Sequence, residues 1–74
     1  MHIPRIRLRR ENVDMALAKM NLSQAKFAYK LMISSGTFSM YMTGKRVVSP
    51  YLRRKISAVL RGFPWDYLYE VVKE

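Results

Sequence analysis

The side chains of this chain that could do chemistry are nearly all cations. Of its 74 residues, 14 are Lys or Arg and 5 are Asp or Glu, which gives a formal net charge of +9. From Met15 through Trp65 there is no acid, whereas nine basic residues occur there. A segment with one sign of charge repels itself and is most useful opposite the phosphates of a nucleic acid. The charge pattern therefore predicts a nucleic-acid partner, with an anionic membrane or an acidic protein as the alternative.

The sequence offers little for catalysis or metal binding. It has no Cys and a single His, His2, so a thiolate metal site, a cysteine nucleophile and a Ser-His-Asp relay are excluded. We therefore expect no enzyme activity, no catalytic or metal-binding residue, no cofactor and no small-molecule ligand. Because no apolar run approaches roughly 18 residues and no signal peptide is visible, we also expect a cytoplasmic protein without a membrane partner.

The first eleven residues are predicted to form a basic N-terminal arm. Ile6 and Leu8 alternate with arginines, and this period-two pattern fits either a short strand or a flexible tail that orders on DNA. Residues 12–74 are expected to form the remaining domain, since a chain of this length allows only one. The basic residues of the arm are Arg5, Arg7, Arg9 and Arg10.

Five short helices are predicted after the arm. Asn12, Ser23, Ser34 and Ser49 are suitable N-caps, because their side-chain oxygens can accept from orphan N–H groups of the first turn. Asn21, Gly44 and Gly62 tolerate the left-handed conformation in which helices commonly end. These signals place the helices at 12–20, 24–31, 35–42, from Pro50 to about 60, and 65–72. Only two or three residues separate the second helix from the third, so this pair must cross steeply.

The predicted core is built from the inward faces of these helices. Its expected large members are Phe27, Phe38, Phe63 and Trp65, and methionines such as Met15, Met20 and Met32 are expected to fill gaps. In the last helix, Tyr67 and Val71 lie four residues apart and form a second apolar strip. We interpret that strip either as ordinary surface or as a dimer contact.

Residues 22–46, LSQAKFAYKLMISSGTFSMYMTGKR, resemble the helix-turn-helix of the lambda repressor-like (Cro/Xre) DNA-binding family. The resemblance covers about residues 12–72 and implies an all-α, compact five-helix domain. It implies a double-stranded DNA-binding transcriptional regulator, a repressor of the phage or mobile-element type that binds as a homodimer. The residues that match the family pattern are Leu22, Ser23, Gln24, Phe27, Ala28, Leu31, Ile33, Ser34, Thr37, Phe38, Ser39, Gly44 and Lys45.

The resemblance also implies roles for individual residues. The third helix would enter the major groove, and its base-facing residues would be Ser35, Gly36, Ser39 and Met40. The residues that would contact phosphates are Gln24, Thr37, Thr43, Lys45 and Arg46.

Two positions depart from the family pattern. Met32 stands in the turn where Gly is usual, and a left-handed residue other than Gly costs roughly 1 kcal/mol, so a distorted turn is one expectation. The base-facing set contains no Arg, Asn or Gln, although pairs from these residues give about 1–3 kcal/mol of discrimination each. The alternative function is therefore a protein-interaction module on the same fold, acting as an antirepressor or antiactivator.

Overall fold

The computed structural model describes residues 5–72. The expectation for His2, and the parts of the two expected segments that fall at 1–4 and 73–74, lie outside the described residues. Within these residues, five helices and two strands follow each other. They are β1 (Arg5–Leu8), α1 (Arg10–Lys19), α2 (Gln24–Lys30), α3 (Ser35–Met42), α4 (Pro50–Val59), α5 (Trp65–Leu68) and β2 (Tyr69–Val72).

The prediction of an all-α fold is wrong, because the domain also contains a two-stranded antiparallel sheet. β1 pairs with β2 in a register that sets Arg7 opposite Glu70 and Leu8 opposite Tyr69. Leu8 is buried in the common core with the helices. For residues 5–8, the structure thus has the strand and not the flexible tail. The domain is mostly helical, with the sheet closing one side of it.

The fifth helix is shorter than its predicted span of 65–72. It ends at Leu68, and the next four residues form β2. The apolar spacing of Trp65, Leu68 and Val72 fits a helix, but two valines and a tyrosine in four residues suit a strand when a partner is present. β1 supplies that partner, so tertiary pairing overrides the helical spacing.

The first helix begins at Arg10, two residues earlier than predicted. Its N-cap is Arg9, whose side chain makes no capping bond. Asn12, the expected cap, lies inside the helix, and its Nδ2 donates to the carbonyl oxygen of Tyr67 at 2.8 Å. Asn12 therefore fastens α1 to α5 and does not start the helix.

The three serine caps are confirmed. Ser23, Ser34 and Ser49 each accept a hydrogen bond from the backbone N–H three residues further on, at 3.1, 3.1 and 3.2 Å. Each bond satisfies a donor that has no partner within its own helix. The starts of α2, α3 and α4 are therefore determined locally.

The ends of α1, α2 and α3 share one geometry. The residue after each C-cap has a positive φ, which is 56° at Asn21, 63° at Met32 and 79° at Gly44. In each turn the backbone N–H of this residue and that of the next residue donate to carbonyl oxygens of the helix, in the 5→2 and 6→1 pattern of a Schellman motif. The turn between α2 and α3 is therefore undistorted, although it contains Met32 and not Gly.

The aromatic core is only partly as predicted. Phe27 and Phe38 are buried and pack edge to face, with ring centroids 5.3 Å apart, which confirms two of the four core aromatics. Trp65 is 43% exposed and tilts over Tyr69, so its assignment to the core is wrong. Phe63 is half-buried at the edge of the core.

Tyr69 occupies the interior in place of Trp65. It is fully buried, and its hydroxyl donates to the carbonyl oxygen of Arg53 at 3.0 Å and lies 3.0 Å from the Ser57 hydroxyl. The prediction that Met15, Met20 and Met32 fill gaps in the core is also wrong, because all three are exposed. Met42 is buried.

Candidate nucleic-acid interface

The α2–α3 pair leaves one face of α3 uncovered. Phe38 and Met42 point inward from α3, and Phe38 meets Phe27 of α2. Ala28 of α2 is buried, and its small side chain allows a close approach of the two helices. The residues expected to face bases all lie on the exposed side of α3, namely Ser35, Gly36, Ser39 and Met40.

The N-terminal end of α3 is held by a reciprocal pair of bonds. The backbone N–H of Thr37 donates to the Ser34 hydroxyl at 3.1 Å, and that hydroxyl donates to Oγ1 of Thr37 at 2.8 Å. Thr37 therefore accepts from Ser34 and keeps its own hydroxyl proton for another acceptor. This arrangement suits the phosphate contact that is predicted for Thr37.

Gln24, at the start of α2, is engaged with a neighbour. Its Nε2 donates to Oδ1 of Asp14 at 2.9 Å, in an exposed position. Asp14 thus brings a carboxylate to the helix start where a phosphate contact is predicted. The second N–H of Gln24 Nε2 can still donate to a phosphate, but the Asp14 carboxylate beside it repels that phosphate.

The turn after α3 carries the exposed cations Lys45 and Arg46. Their backbone N–H groups donate to the carbonyl oxygen of Met40 at 2.9 and 3.2 Å, which fixes the path of the chain. The Arg46 guanidinium lies 5.8 Å from the ring centroid of Tyr41. Thr43 donates its hydroxyl proton to the carbonyl oxygen of Ser39 at 3.0 Å, so it must rotate before it can donate to a phosphate.

The arginines of the predicted arm have different environments. Nε and Nη2 of Arg7 both lie 3.0 Å from Oε1 of Glu70. Arg9 donates from Nε to the carbonyl oxygens of Asp66 and Tyr69 at 2.8 and 3.0 Å. Arg9, which follows β1, therefore links the end of that strand to α5 and β2. Arg7 is held by a side-chain ion pair, which can exchange for another anion. Arg5 and Arg10 are exposed, and DNA contact by all four stays a prediction.

The two residues predicted to form a dimer contact do not share a helix face. Tyr67 lies in α5, is half-buried, and stacks on Phe63 with ring centroids 5.7 Å apart. Val71 lies in β2 and is 46% exposed. The helical spacing that linked them is absent, and a dimer contact by either residue stays a prediction.

Glu70 and the burial of Tyr69 were not found by sequence reasoning. Glu70 is 63 residues from Arg7 along the chain, and a local sequence pattern does not reveal a pairing over that separation. Burial raises the pKa of Tyr69 above its ordinary value of 10.0, while the bond to Ser57 and the charge of Arg53 act in the opposite direction. Tyr69 is thus a neutral structural residue behind the sheet.

The charges of the described residues are segregated. Their acids are confined to α1, α5 and β2, and none lies on α2, α3, α4 or the turns between them. The exposed face of α3 therefore has cations as its only charged neighbours along the chain. Within residues 15–65 a polyanion would therefore meet only cations, while the fold brings Asp14 to the start of α2 and Glu70 to the end of α3.

Comparison with protein-family models, with curated proteins and with solved structures finds no match. Among residues 5–72 there is no group of three or more side chains that could hold a metal ion. No helix in the same part of the chain is long and apolar enough to cross a membrane.

Proposed function

We propose that the protein is a sequence-specific regulator of transcription that binds double-stranded DNA, and that it acts as a repressor. The observation that carries this proposal is the exposed face of α3, defined by Ser35, Gly36, Ser39 and Met40, on a part of the chain whose only charges are positive. The likeness of residues 22–46 to the lambda repressor-like helix-turn-helix supports the same conclusion.

The dimensions of α3 suit the major groove. An α-helix with its side chains is about 10–12 Å across, and the major groove of B-DNA is about 12 Å wide, so α3 can lie within the groove. Phe27 and Phe38 hold α2 across the back of α3, which leaves the polar side of α3 for the duplex. In this arrangement Lys45 and Arg46 lie beside the DNA backbone and fix the register.

Direct reading of bases by α3 is expected to be modest. The hydroxyls of Ser35 and Ser39 can bond to several bases, Gly36 allows a close approach, and Met40 can contact a thymine methyl. None of these residues forms the bidentate pairs that discriminate most strongly. DNA shape and deformability therefore contribute much of the specificity.

A homodimer on a roughly palindromic operator is part of the proposal. Within the described residues, β2 has a neighbouring strand on one side only, and Val71 exposes an apolar side chain there. Val71→Asp should reduce the cooperativity of binding to two half-sites without changing the affinity for a single half-site. Equal cooperativity in wild type and variant would remove Val71 from the interface.

The test of DNA binding uses fluorescence anisotropy with duplexes selected from a random pool. Neutralising about 6–10 phosphates should lower the affinity by roughly 10³–10⁵ between 50 and 200 mM salt. A flat salt response would contradict the proposal.

Two substitutions separate backbone contacts from base contacts. Lys45→Ala should weaken binding to all sequences alike, because it removes a phosphate contact. Met40→Ala should alter the ranking of selected sites while it leaves random duplexes nearly unaffected. Lys19→Ala, at the end of α1, is the matched control for the loss of one lysine. If Met40→Ala weakens binding to all sequences alike and Lys45→Ala alters the ranking of sites, the assignment of α3 to the major groove is wrong.

A protein-interaction module, acting as an antirepressor or antiactivator, is the second candidate. The observation that favours it is the exposure of large apolar side chains beside the turn, with Tyr29 83% and Met32 82% exposed. Such a module should show no salt-sensitive binding to duplex DNA. The anisotropy titration therefore separates the two functions.

A further inference from the structure

We propose that β1 and the end of α3 form a preformed phosphate-binding notch, in which Glu70 holds the position of a DNA phosphate while no DNA is bound. We call this the Arg7 notch and define it by Arg7, Arg10, Thr43, Gly44 and Glu70. The inference rests on the proposed function and names the part of the surface that meets the DNA backbone. It replaces a flexible arm with a fixed contact.

Arg7 lies directly against the backbone that leaves α3. A Cβ atom added to Gly44 would stand 3.2 Å from Cδ and 3.4 Å from Nη1 of Arg7, which is closer than ordinary packing. Gly44 also has a φ of 79°, a conformation that L side chains rarely adopt. The glycine thus serves both the helix end and the close approach of the guanidinium. Because Gly44 directly precedes Lys45, the Arg7 side chain lies beside the turn that carries this predicted phosphate contact.

A shallow cavity separates the sheet from the end of α3. Its volume is about 200 Å³, and Arg7, Arg10, Thr43, Gly44 and Glu70 lie along it. A water molecule takes about 30 Å³ of liquid volume, so the cavity has room for a phosphate group. Two of its side chains are arginines, whose planar forks match phosphate and carboxylate oxygens equally well.

Glu70 presents to Arg7 what a phosphate would present. One oxygen, Oε1, receives both Nε and Nη2 of Arg7 at 3.0 Å, as a phosphate oxygen does on the side of a guanidinium. The strand register sets the two residues opposite each other, so the carboxylate is delivered by the fold. The pair is partly exposed, and exposed ion pairs are weak, so a phosphate can displace the carboxylate.

Arg9 does not make the same exchange. Its Nε is held by two backbone carbonyl oxygens, and its Nη1 lies 3.7 Å from Oε2 of Glu70. When a phosphate takes Arg7, Glu70 can stay with Arg9. Arg9 then balances the charge of Glu70, which leaves Arg7 and Arg10 to face the phosphate.

The first test measures the affinity of the whole chain for a random-sequence duplex of about 20 base pairs, two helical turns, over a range of salt concentrations. Arg7→Gln should weaken binding by about three- to ten-fold and lower the slope of log K against log salt by about 0.9, the value for one phosphate contact. Arg61→Gln, in the turn after α4, removes the same charge elsewhere and should change affinity less than two-fold. Arg7→Lys keeps the charge without the fork and should fall between wild type and Arg7→Gln.

The second test removes the competitor. Glu70→Gln should tighten binding to the same duplex by roughly three-fold, since the carboxylate no longer competes for Arg7. Asp66→Asn, which removes a neighbouring acid from α5, should have a smaller effect. In an Arg7→Gln background, Glu70→Gln should have no more effect than Asp66→Asn. Thermal unfolding of each variant checks that the sheet is intact.

The outcomes separate the notch from the function it rests on. If wild type binds duplex DNA with a steep salt dependence but Arg7→Gln behaves like Arg61→Gln, the notch is wrong and the proposed function stands. If Glu70→Gln weakens binding in a folded protein, Glu70 is only a fastener of the sheet and its role as a stand-in is overturned. If wild type does not bind DNA at all, both proposals are overturned.

Discussion

Met32→Gly is expected to stabilise the protein. Met32 occupies the left-handed position of the α2–α3 turn with a φ of 63°, where Gly44 occupies the equivalent position after α3. Its side chain is 82% exposed, so its removal sacrifices little apolar burial. Both Schellman bonds of the turn are backbone bonds and remain after the substitution.

The size of the effect follows from two opposing contributions. A residue with a Cβ in the left-handed region costs about 1–2 kcal/mol. Glycine loses about 0.5–1 kcal/mol more backbone entropy on folding than alanine does. The difference is a net stabilisation of about 0.8 kcal/mol at the midpoints of these ranges and about 1.5 kcal/mol at most. In a domain of this size the midpoint corresponds to a rise in Tm of roughly 3–6 °C.

Urea unfolding followed by circular dichroism measures this change. Met32→Ala is the control, because it removes the exposed side chain and keeps the Cβ, and it should leave the free energy of unfolding nearly unchanged. Met32→Asn should fall between the two, since Asn21 already occupies the same position at the end of α1. If Met32→Gly is no more stable than Met32→Ala, backbone strain at this turn is absent and the reasoning fails.

Three further predictions concern the sheet and the start of α2. Tyr69→Phe should lower the free energy of unfolding by about 1–2 kcal/mol, because the Arg53 carbonyl oxygen and the Ser57 hydroxyl both lose their hydrogen bond to the Tyr69 hydroxyl, and urea unfolding against Tyr67→Phe measures the loss. Stability should be retained below pH 10 and fall above it, because the raised pKa of Tyr69 means that the unfolded state ionises first; a Tyr69→Phe variant with the same alkaline decline would contradict this. Asp14→Asn should tighten binding to duplex DNA at low salt, because it removes a carboxylate beside Gln24; an unchanged affinity in anisotropy titrations would place Gln24 away from the phosphates.

The local signals of the sequence were sufficient to predict α2 and α3. Ser23 and Ser34 determine where two helices begin through bonds within a single turn. Phe27 and Phe38 each lie on the apolar face of their own helix, which the spacing of apolar residues within that helix predicts. Such features depend on neighbours within a few residues, so a pattern in the chain predicts them.

A strand was one expectation for residues 5–8, but β2 and its pairing with β1 were beyond the reach of the same reasoning. Tyr69, Val71 and Val72 tolerate either a helix or a strand, and the deciding interaction is with β1 at the opposite end of the described chain. Trp65 was assigned to the core, yet Tyr69 fills the interior, and its hydroxyl donates to the carbonyl oxygen of Arg53. The period-two pattern of Ile6 and Leu8 fits a strand in β1, but no pattern in residues 69–72 identifies them as its partner.

The same separation affected the candidate site. The arginines of residues 5–10 were recognisable as cations, but the structural role of Arg9 depends on the carbonyl oxygens of Asp66 and Tyr69, and the exchangeable pairing of Arg7 depends on Glu70. Gly44 was predicted as a helix end, and its second contact, with Arg7, becomes visible only when β1 is placed beside α3.

The strand pairing also makes one end of the described chain dependent on the other. Arg7 and Glu70 are 63 residues apart in sequence, and closing a loop of that length costs about 4 kcal/mol of chain entropy by the (3/2)RT ln n relation. The ladder is therefore expected to form late in folding, after the local helical turns. A truncated chain that ends before Tyr69 would retain the sequence of all five helices and lose the cover over Leu8. Proteolytic removal of β2 would therefore take away the ion-pair partner of Arg7, which lies more than sixty positions earlier in the chain.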